Sequence, residues 1–369
     1  MGRAQPKLRF AVIGQGHFAQ AAVLPAFEQL DGLVELGALI SGSQHKLDEL
    51  SARYGVSAVG DYDDLDRILH REQIDAVYIA VPNDLHAEMT MIAARNGCHV
   101  LCEKPMAPTE AECMQMIRAC DHKRRKLMVA YRLHFEAANL CAIELVRGGE
   151  IGQPRIFSSI NSQQVVPGNI RVQPRRGQGP LFDIGVYCIN AARYLFRTEP
   201  VEVSAMRFSG RDPRFAHTDE AFSATLRFPD ERVAQFSCSF GAHDRSHYEV
   251  IGTDGVISLD NAYTYENGMT LRVHGLHGSK ERTFGKRDQI AAEITYFARC
   301  ILEDRDPEPS GWEGLADVRI IQALQSSARF GRAVPIEPIT RARRPDLGQE
   351  IDIVGHEMPP LVDVKAPSK

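Results

Sequence analysis

Between residues 9 and 131 the chain alternates short apolar runs with amphipathic stretches. Arg9–Ile13, Val34–Ile40, Ala76–Ala80, His99–Cys102 and Leu127–Ala130 have the length and apolar character of strands. Phe18–Leu30, His45–Tyr54, Asp84–Arg95 and Thr109–Asp121 read as helices, the first bent or restarted at Pro25. Alternation at this spacing predicts right-handed crossovers and a parallel sheet.

After Tyr131 the rhythm changes. A helix is expected over Phe135–Arg147, an extended run over Arg155–Asn161 and a helix over Ile184–Leu195. Strands then follow in succession: Val201–Phe208, Glu220–Phe228, Val233–Phe240, Tyr248–Gly252 and Gly255–Leu259, with a weaker one near Leu271–Val273. Pro229-Asp230 and Asp254-Gly255 supply antiparallel turns. Phe222, Ala224, Leu226 and Phe228 alternate with small or polar residues, as do Ala234, Phe236, Cys238 and Phe240. One face of this sheet is therefore apolar and covered by helices, and the other is small and polar. Gln289–Glu303 and Gly314–Phe330 have the periodicity of helices facing a core. The expected architecture is an α/β Rossmann domain at residues 1–131, then an α+β domain at 132–340. The second domain has an open, mainly antiparallel sheet covered by helices on one face. Residues 341–369, Pro-rich, charged and without period, read as a loose tail in which Ile351–Val354 is able to dock.

Composition narrows the class. The 369 residues are 44% apolar and 25% charged, enough for two globular cores. The formal net charge of −5 and the lack of a basic tract argue against a nucleic-acid partner. The longest apolar runs are strand-length, so no membrane span is expected. A strand is reached by Leu8, which leaves no room for a secretory signal. Eight cysteines without a Cys-x-x-Cys pair read as reduced core residues of a cytoplasmic protein, with no metal.

Five stretches carry candidate chemistry. Gly14-Gln15-Gly16-His17-Phe18-Ala19 lies between a strand and a helix, the setting of a dinucleotide fingerprint. Gly14 permits the tight turn, Gly16 clears the pyrophosphate, and Ala19 lets helix and strand pack closely, so His17 and Phe18 also border the cofactor. After the second strand, Ser41-Gly42-Ser43-Gln44-His45-Lys46 holds no carboxylate to bind a ribose 2′-hydroxyl. Ser41, Gly42 and Lys46 suit a 2′-phosphate, which points to NADP. The same residues also make sense as a Ser43 helix cap followed by a solvated lysine. Pro82, Asn83 and His86 follow the third clear strand on the same edge and are candidate cofactor contacts, with His86 alternatively structural. Glu103-Lys104-Pro105 ends the next strand. Lys104 there is placed to stabilise a developing alkoxide or lower a neighbour's pKa, and Pro105 suggests a cis bond. Asp183 and Tyr187, four apart at a helix start, lie on one face and suit binding and deprotonating a sugar hydroxyl. A capping aspartate with a packed tyrosine is the bland alternative.

Together with Tyr131-Arg132-Leu133-His134, Gly179–Tyr187 and Gly314–Arg319, these stretches resemble the Gfo/Idh/MocA family of oxidoreductases over residues 8–338. The likeness is nearest to glucose–fructose oxidoreductase and NADP-dependent aldose dehydrogenases. It implies that Lys104 is catalytic, that Asp183 orients substrate and that Tyr187 is the proton donor and acceptor. It also implies that Ser41 and Lys46 contact the 2′-phosphate. Arg132, His134 and Arg171 are candidate sugar ligands. The substrate loop departs from the relatives, with Asn169-Ile170-Arg171 in place of Trp-Arg and Gly177-Gln178-Gly179 in place of three glycines. The resemblance implies an NADP-dependent sugar oxidoreductase acting on an aldose or polyol, assembled as a homodimer or homotetramer through the second domain's sheet. A keto-sugar or carbonyl reductase is the neighbouring alternative. A non-catalytic NADP-binding sensor is the alternative of another class.

Overall fold

The computed structural model describes residues 7–30, 32–276, 278–340 and 343–368. The chain divides into two compact units, each assembled from separate stretches.

The first unit comprises Met1–Arg132, Asp288–Gly314 and Gly355–Lys365. Its strands are β1 (Leu8–Ile13), β2 (Val34–Ile40), β3 (Ala58–Gly60), β4 (Ala76–Ile79), β5 (His99–Glu103) and β6 (Leu127–Ala130). They form one parallel sheet in the order β3-β2-β1-β4-β5-β6. That order reverses between β1 and β4, where an open α/β sheet leaves a crevice for ligands. The register aligns Ile40, Ile13, Ile79 and Cys102 in one row across β2, β1, β4 and β5. Each strand's next residues therefore leave the sheet side by side at its carboxyl edge. The helical run after the glycine turn opens as a π-helix over Ala19–Val23 and continues as an α-helix over Leu24–Glu28, with Pro25 in its first turn.

The second unit comprises Leu133–Arg287, Leu315–Val354 and Ala366–Lys369. Its strands are β7 (Pro154–Ser162), β8 (Glu202–Phe208), β9 (Ala221–Phe228), β10 (Arg232–Ser239), β11 (Arg245–Gly252), β12 (Val256–Asp260), β13 (Met269–Gly275), β14 (Gly278–Phe284) and β15 (Val334–Pro335). The sheet runs β14-β13-β12-β11-β7-β10-β9-β8-β15 and is antiparallel except where β7 meets β10. Phe222, Ala224, Leu226, Phe236 and Cys238 point into the core. On the other face Met206, Ser223, Ser237, Ile160 and His247 stand in one row across five strands. Ser223 and Ser237 are exposed, as are Ile160 (47%) and Met206 (63%), so this row is small and partly apolar, while Glu249, Asp260, Arg272 and Glu281 bring charges to the same face.

Beneath the helix Val186–Phe196 lies a buried polar chain. His134 Nε2 is 2.7 Å from Asn190 Oδ1, and Asn190 donates to Asp317 at 2.9 Å. Asp317 also accepts from Arg193 at 2.6 Å, and Arg193 pairs with Glu199, which pairs with Arg344. Because Asn190 spends its amide on Asp317, its oxygen must accept, so His134 carries its proton on Nε2. Each buried charge thus faces an opposite one, as desolvation demands.

The segment read as a loose tail makes defined contacts in both units; residues 341, 342 and 369 lie outside those described. Gln20, fully buried, exchanges two hydrogen bonds with the backbone of Val362 (3.0 and 2.7 Å). Arg53 donates to Pro360 O, and His356 lies 2.8 Å from Asp288. Val354 bridges Arg287, and Ser368 bridges Val165. These attachments are mostly to backbone groups, which leave no side-chain period to read. No helix among the described residues is long and apolar enough to cross a membrane.

Candidate functional site

In the first unit four loops leave the same sheet edge. Gly14 has φ +97°, and a Cβ there would stand 2.5 Å from Ala80 O, so only glycine fits. Beside Gly16 the space is open out to 4 Å, and the Gln20 N–H reaches back to Gly16 O. His17 and Phe18 are half-buried at the turn's exit. This is the cradle a pyrophosphate needs, with open room on the side where a Cβ would intrude.

After β2, Ser41 is buried and its hydroxyl accepts the Ser43 N–H at 3.2 Å. Ser43 caps the helix Gln44–Tyr54 through the Lys46 N–H. Gly42 is exposed and Lys46 half-buried. The cap and the phosphate readings are thus compatible, since capping uses the Ser43 side chain and not those of Ser41 or Lys46.

After β4, Pro82 and Asn83 are half-buried, but His86 is not exposed at all. Its ring nitrogens lie 3.0 Å from Val81 O and 3.0 Å from Pro105 O. Burial pushes its pKa down, while the two carbonyls hold it up. His86 therefore links the turn after β4 to the turn after β5, in line with the structural alternative given for it above. The Lys104–Pro105 bond is cis. Glu103 and Lys104 are half-buried, and Glu103 Oε1 lies 2.6 Å from the Tyr78 hydroxyl. Arg132 is buried, donates to Gln289 and faces the Glu103 carboxylate, so it serves this cluster and has no open face for a sugar.

In the second unit, the segment expected to start a helix opens as a π-helix, Leu181–Gly185, and becomes α-helical at Val186. Asn161 anchors this turn through Ile184 O at 3.0 Å. The N-cap position of this helix is Pro180, not Asp183, whose carboxylate pairs with Arg171 Nε at 2.5 Å. Arg171 stands on a short 3₁₀ turn capped by Asn169, and its charge faces Tyr187 and Tyr265. Arg171, Asp183 and Tyr187 are therefore brought together. Tyr187 stacks on Tyr263 with centroids 5.8 Å apart and planes 25° off parallel. Ser159 Oγ donates to His247 O at 2.9 Å and so accepts the Tyr263 hydroxyl at 2.7 Å. A fixed aromatic platform thus orients the Tyr187 ring. His134 is fully buried in the Asn190–Asp317 chain and supports the helix that carries Tyr187.

Residues 8–131 match the family described as GFO_IDH_MocA, an oxidoreductase family with an NAD-binding Rossmann fold, and residues 140–258 match its C-terminal domain. The chain is 30% identical to the D-xylose 1-dehydrogenase (NADP+) of Haloarcula marismortui over 89% of this chain and 93% of that one. The chain belongs to the Gfo/Idh/MocA family. Among solved structures, the aldose–aldose oxidoreductase of Caulobacter crescentus, complexed with glycerol, is 36% identical with a TM-score of 0.85, covering 90% of this chain and all (100%) of that one. A 3-ketoreductase from Actinomadura kijaniata, in complex with NADP and TDP-benzene, is 25% identical with a TM-score of 0.80, covering 87% and 98%. As a Gfo/Idh/MocA member the protein is an oxidoreductase acting on CH–OH groups.

Tyr263, Tyr265 and Ser159 were not expected from sequence. The two tyrosines fall in an irregular segment after β12, where no period marks them. Arg171 was expected as a sugar ligand, but its pairing with Asp183 links residues twelve apart through a loop of no regular spacing.

Arg171→Ala is expected to raise the KM for substrate about tenfold or more, the value of one charged hydrogen bond. NADP affinity should not change. Steady-state kinetics with a cofactor titration checks this; an unchanged KM would remove Arg171 from the substrate's surroundings.

Proposed function

We propose that the protein is an NADP-dependent oxidoreductase that moves a hydride between a sugar, an aldose or related polyol, and nicotinamide. The observation that carries the cofactor choice is the loop after β2. It offers Ser41, Gly42 and Lys46 and holds no carboxylate from Ser41 to Lys46. The NADP-dependent xylose dehydrogenase and the aldose–aldose oxidoreductase among the relatives support the substrate class.

Bound NADP(H) supplies the hydride acceptor or donor. Tyr187 takes the hydroxyl proton as the phenolate during oxidation, becoming the phenol, and returns that proton as the phenol during reduction. The Lys104 ammonium stabilises the alkoxide as it forms. Asp183 and Arg171 bind and orient sugar hydroxyls. Pro82, Asn83 and the Gly14–Phe18 turn border the cofactor. A second reading, reduction of a keto-sugar, has a specific support in the 3-ketoreductase relative and uses the same residues with Tyr187 as the acid.

The same reading includes a homodimer or homotetramer formed through the outer face of the second unit's sheet. A second copy suits the central row of that face, where Ser223, Ser237 and exposed Ile160 and Met206 carry no charge, and the flanking charges are already paired, Arg227 with Glu202 and Arg245 and Arg272 with Asp260.

NADP should bind more tightly than NAD, and Lys46→Ala should weaken NADP far more than NAD, since a phosphate–cation contact is charge-assisted. Equal losses for both cofactors, or a native preference for NAD, would overturn the assignment. Light scattering at micromolar concentration should give a dimer or tetramer, and Ser237→Arg should dissociate it. A wild-type monomer, or an intact Ser237→Arg assembly, would count against this interface.

A further inference from the structure

Tyr78 of β4 is fully buried, and its hydroxyl faces two carboxylates of the first unit. Glu103 Oε1 lies 2.6 Å away and Glu293 Oε1 2.9 Å away. A phenol has one proton and can donate to one of them. Two ionised carboxylates would leave the other contact as oxygen against oxygen with no hydrogen between. The geometry therefore requires one further proton in the cluster.

The surroundings decide where it resides. Glu293 is fully buried in the second turn of the helix Gln289–Leu302, and its Oε2 has no hydrogen-bond partner among the described residues. An ionised carboxylate is poorly solvated in such a place. Glu103 is half-buried, its Oε2 accepts the Lys104 N–H at 3.3 Å, and it lies beside the charges of Lys104 and Arg132. The groups facing Glu293 are Glu103, Tyr78, Arg132 and Asp288, and Asp288 in turn lies 2.8 Å from His356. The two lengths agree with this: 2.6 Å suits a phenol donating to a carboxylate, and 2.9 Å a weaker bond between neutral groups.

We propose that Glu293 is a neutral carboxylic acid at neutral pH, donating through Oε1 to Tyr78, which donates to Glu103 and so fixes a single carboxylate beside Lys104. Glu293 and Tyr78 are then positioning residues for the lysine turn. That functional part rests on the role proposed above for Lys104; the protonation itself does not. Burial pushes the Glu293 pKa well above the ordinary carboxyl range, with the Glu103 charge adding to it. A group raised in the folded state binds its proton more tightly there. Its contribution to stability is full below the unfolded carboxyl pKa and is lost as pH rises through the folded value.

The test is infrared spectroscopy of the substrate-free protein at pH 7, labelled with ¹³C-glutamate, in wild type and Glu293→Gln. A protonated-carboxyl carbonyl band that shifts with the label and vanishes in Glu293→Gln is expected. Glu293→Gln, whose amide can still donate to Tyr78, should keep kcat within about twofold, while Glu293→Leu should lose roughly tenfold or more in kcat at unchanged NADP affinity. No band in wild type, or a band that persists in Glu293→Gln, would overturn the protonation. Equal losses in Glu293→Gln and Glu293→Leu would overturn the positioning role. If Glu293→Leu does not fold, the band and the Glu293→Gln kinetics still decide. A fully active Lys104→Ala with the band intact would remove the lysine reading and leave the shared proton standing.

Discussion

The parallel register of β1, β2, β4 and β5 is the constraint on which the cofactor cradle of the first unit depends. Ile40, Ile13, Ile79 and Cys102 stand in one row, so residues far apart in sequence leave the sheet together. Ser41, Gly14, Ala80 and Glu103 are the next residues of their strands. A one-residue slip of β5 would turn the Glu103 side chain to the opposite face and break its bond to Tyr78. The His86 ring, with its two nitrogens 3.0 Å from Pro105 O and Val81 O, and the Tyr78 hydroxyl beside Glu103 link the β4 and β5 ends to each other.

The second unit solves a different problem. Its polar groups must be held at the start of a helix that is buried along most of its length. A π-helical opening displaces the turn that carries Asp183, and the Arg171 charge neutralises that carboxylate without burying it fully. Tyr187 is then steadied by a stacked ring whose own hydroxyl is already committed to Ser159. Behind this, the chain from His134 through Asn190 and Asp317 to Arg193 stiffens the helix from its buried side.

The sheet class, both sheets' cores and the glycine fingerprint were legible because each is written in local period or local turn chemistry. The short strand Ala58–Gly60 and the helix Leu65–Arg71 were not, since each is too brief to show a period. Gly278–Phe284 was missed because an exposed edge strand carries almost no apolar alternation. The tail was taken as loose because Gln20 and Arg53 hold it by its backbone. In the site, positions at strand ends were found, and their side-chain partners were not. His86, read as a cofactor contact or a structural residue, and Arg132 and His134, taken as sugar ligands from the resemblance, are each buried beside a partner supplied by another part of the chain. Glu293 did leave a signal, a carboxylate on the core-facing stripe of the helix Gln289–Leu302.

The most direct measurement is the single-turnover rate of nicotinamide reduction by an aldose, compared between wild type and Tyr187→Phe. Deuterium at the oxidised carbon shows whether hydride transfer is being observed. A fall of at least about 10²-fold, with the isotope effect retained and NADP affinity unchanged, is the expected result for a lost acid–base group. A near-normal rate in Tyr187→Phe would contradict the assignment of proton transfer to this tyrosine.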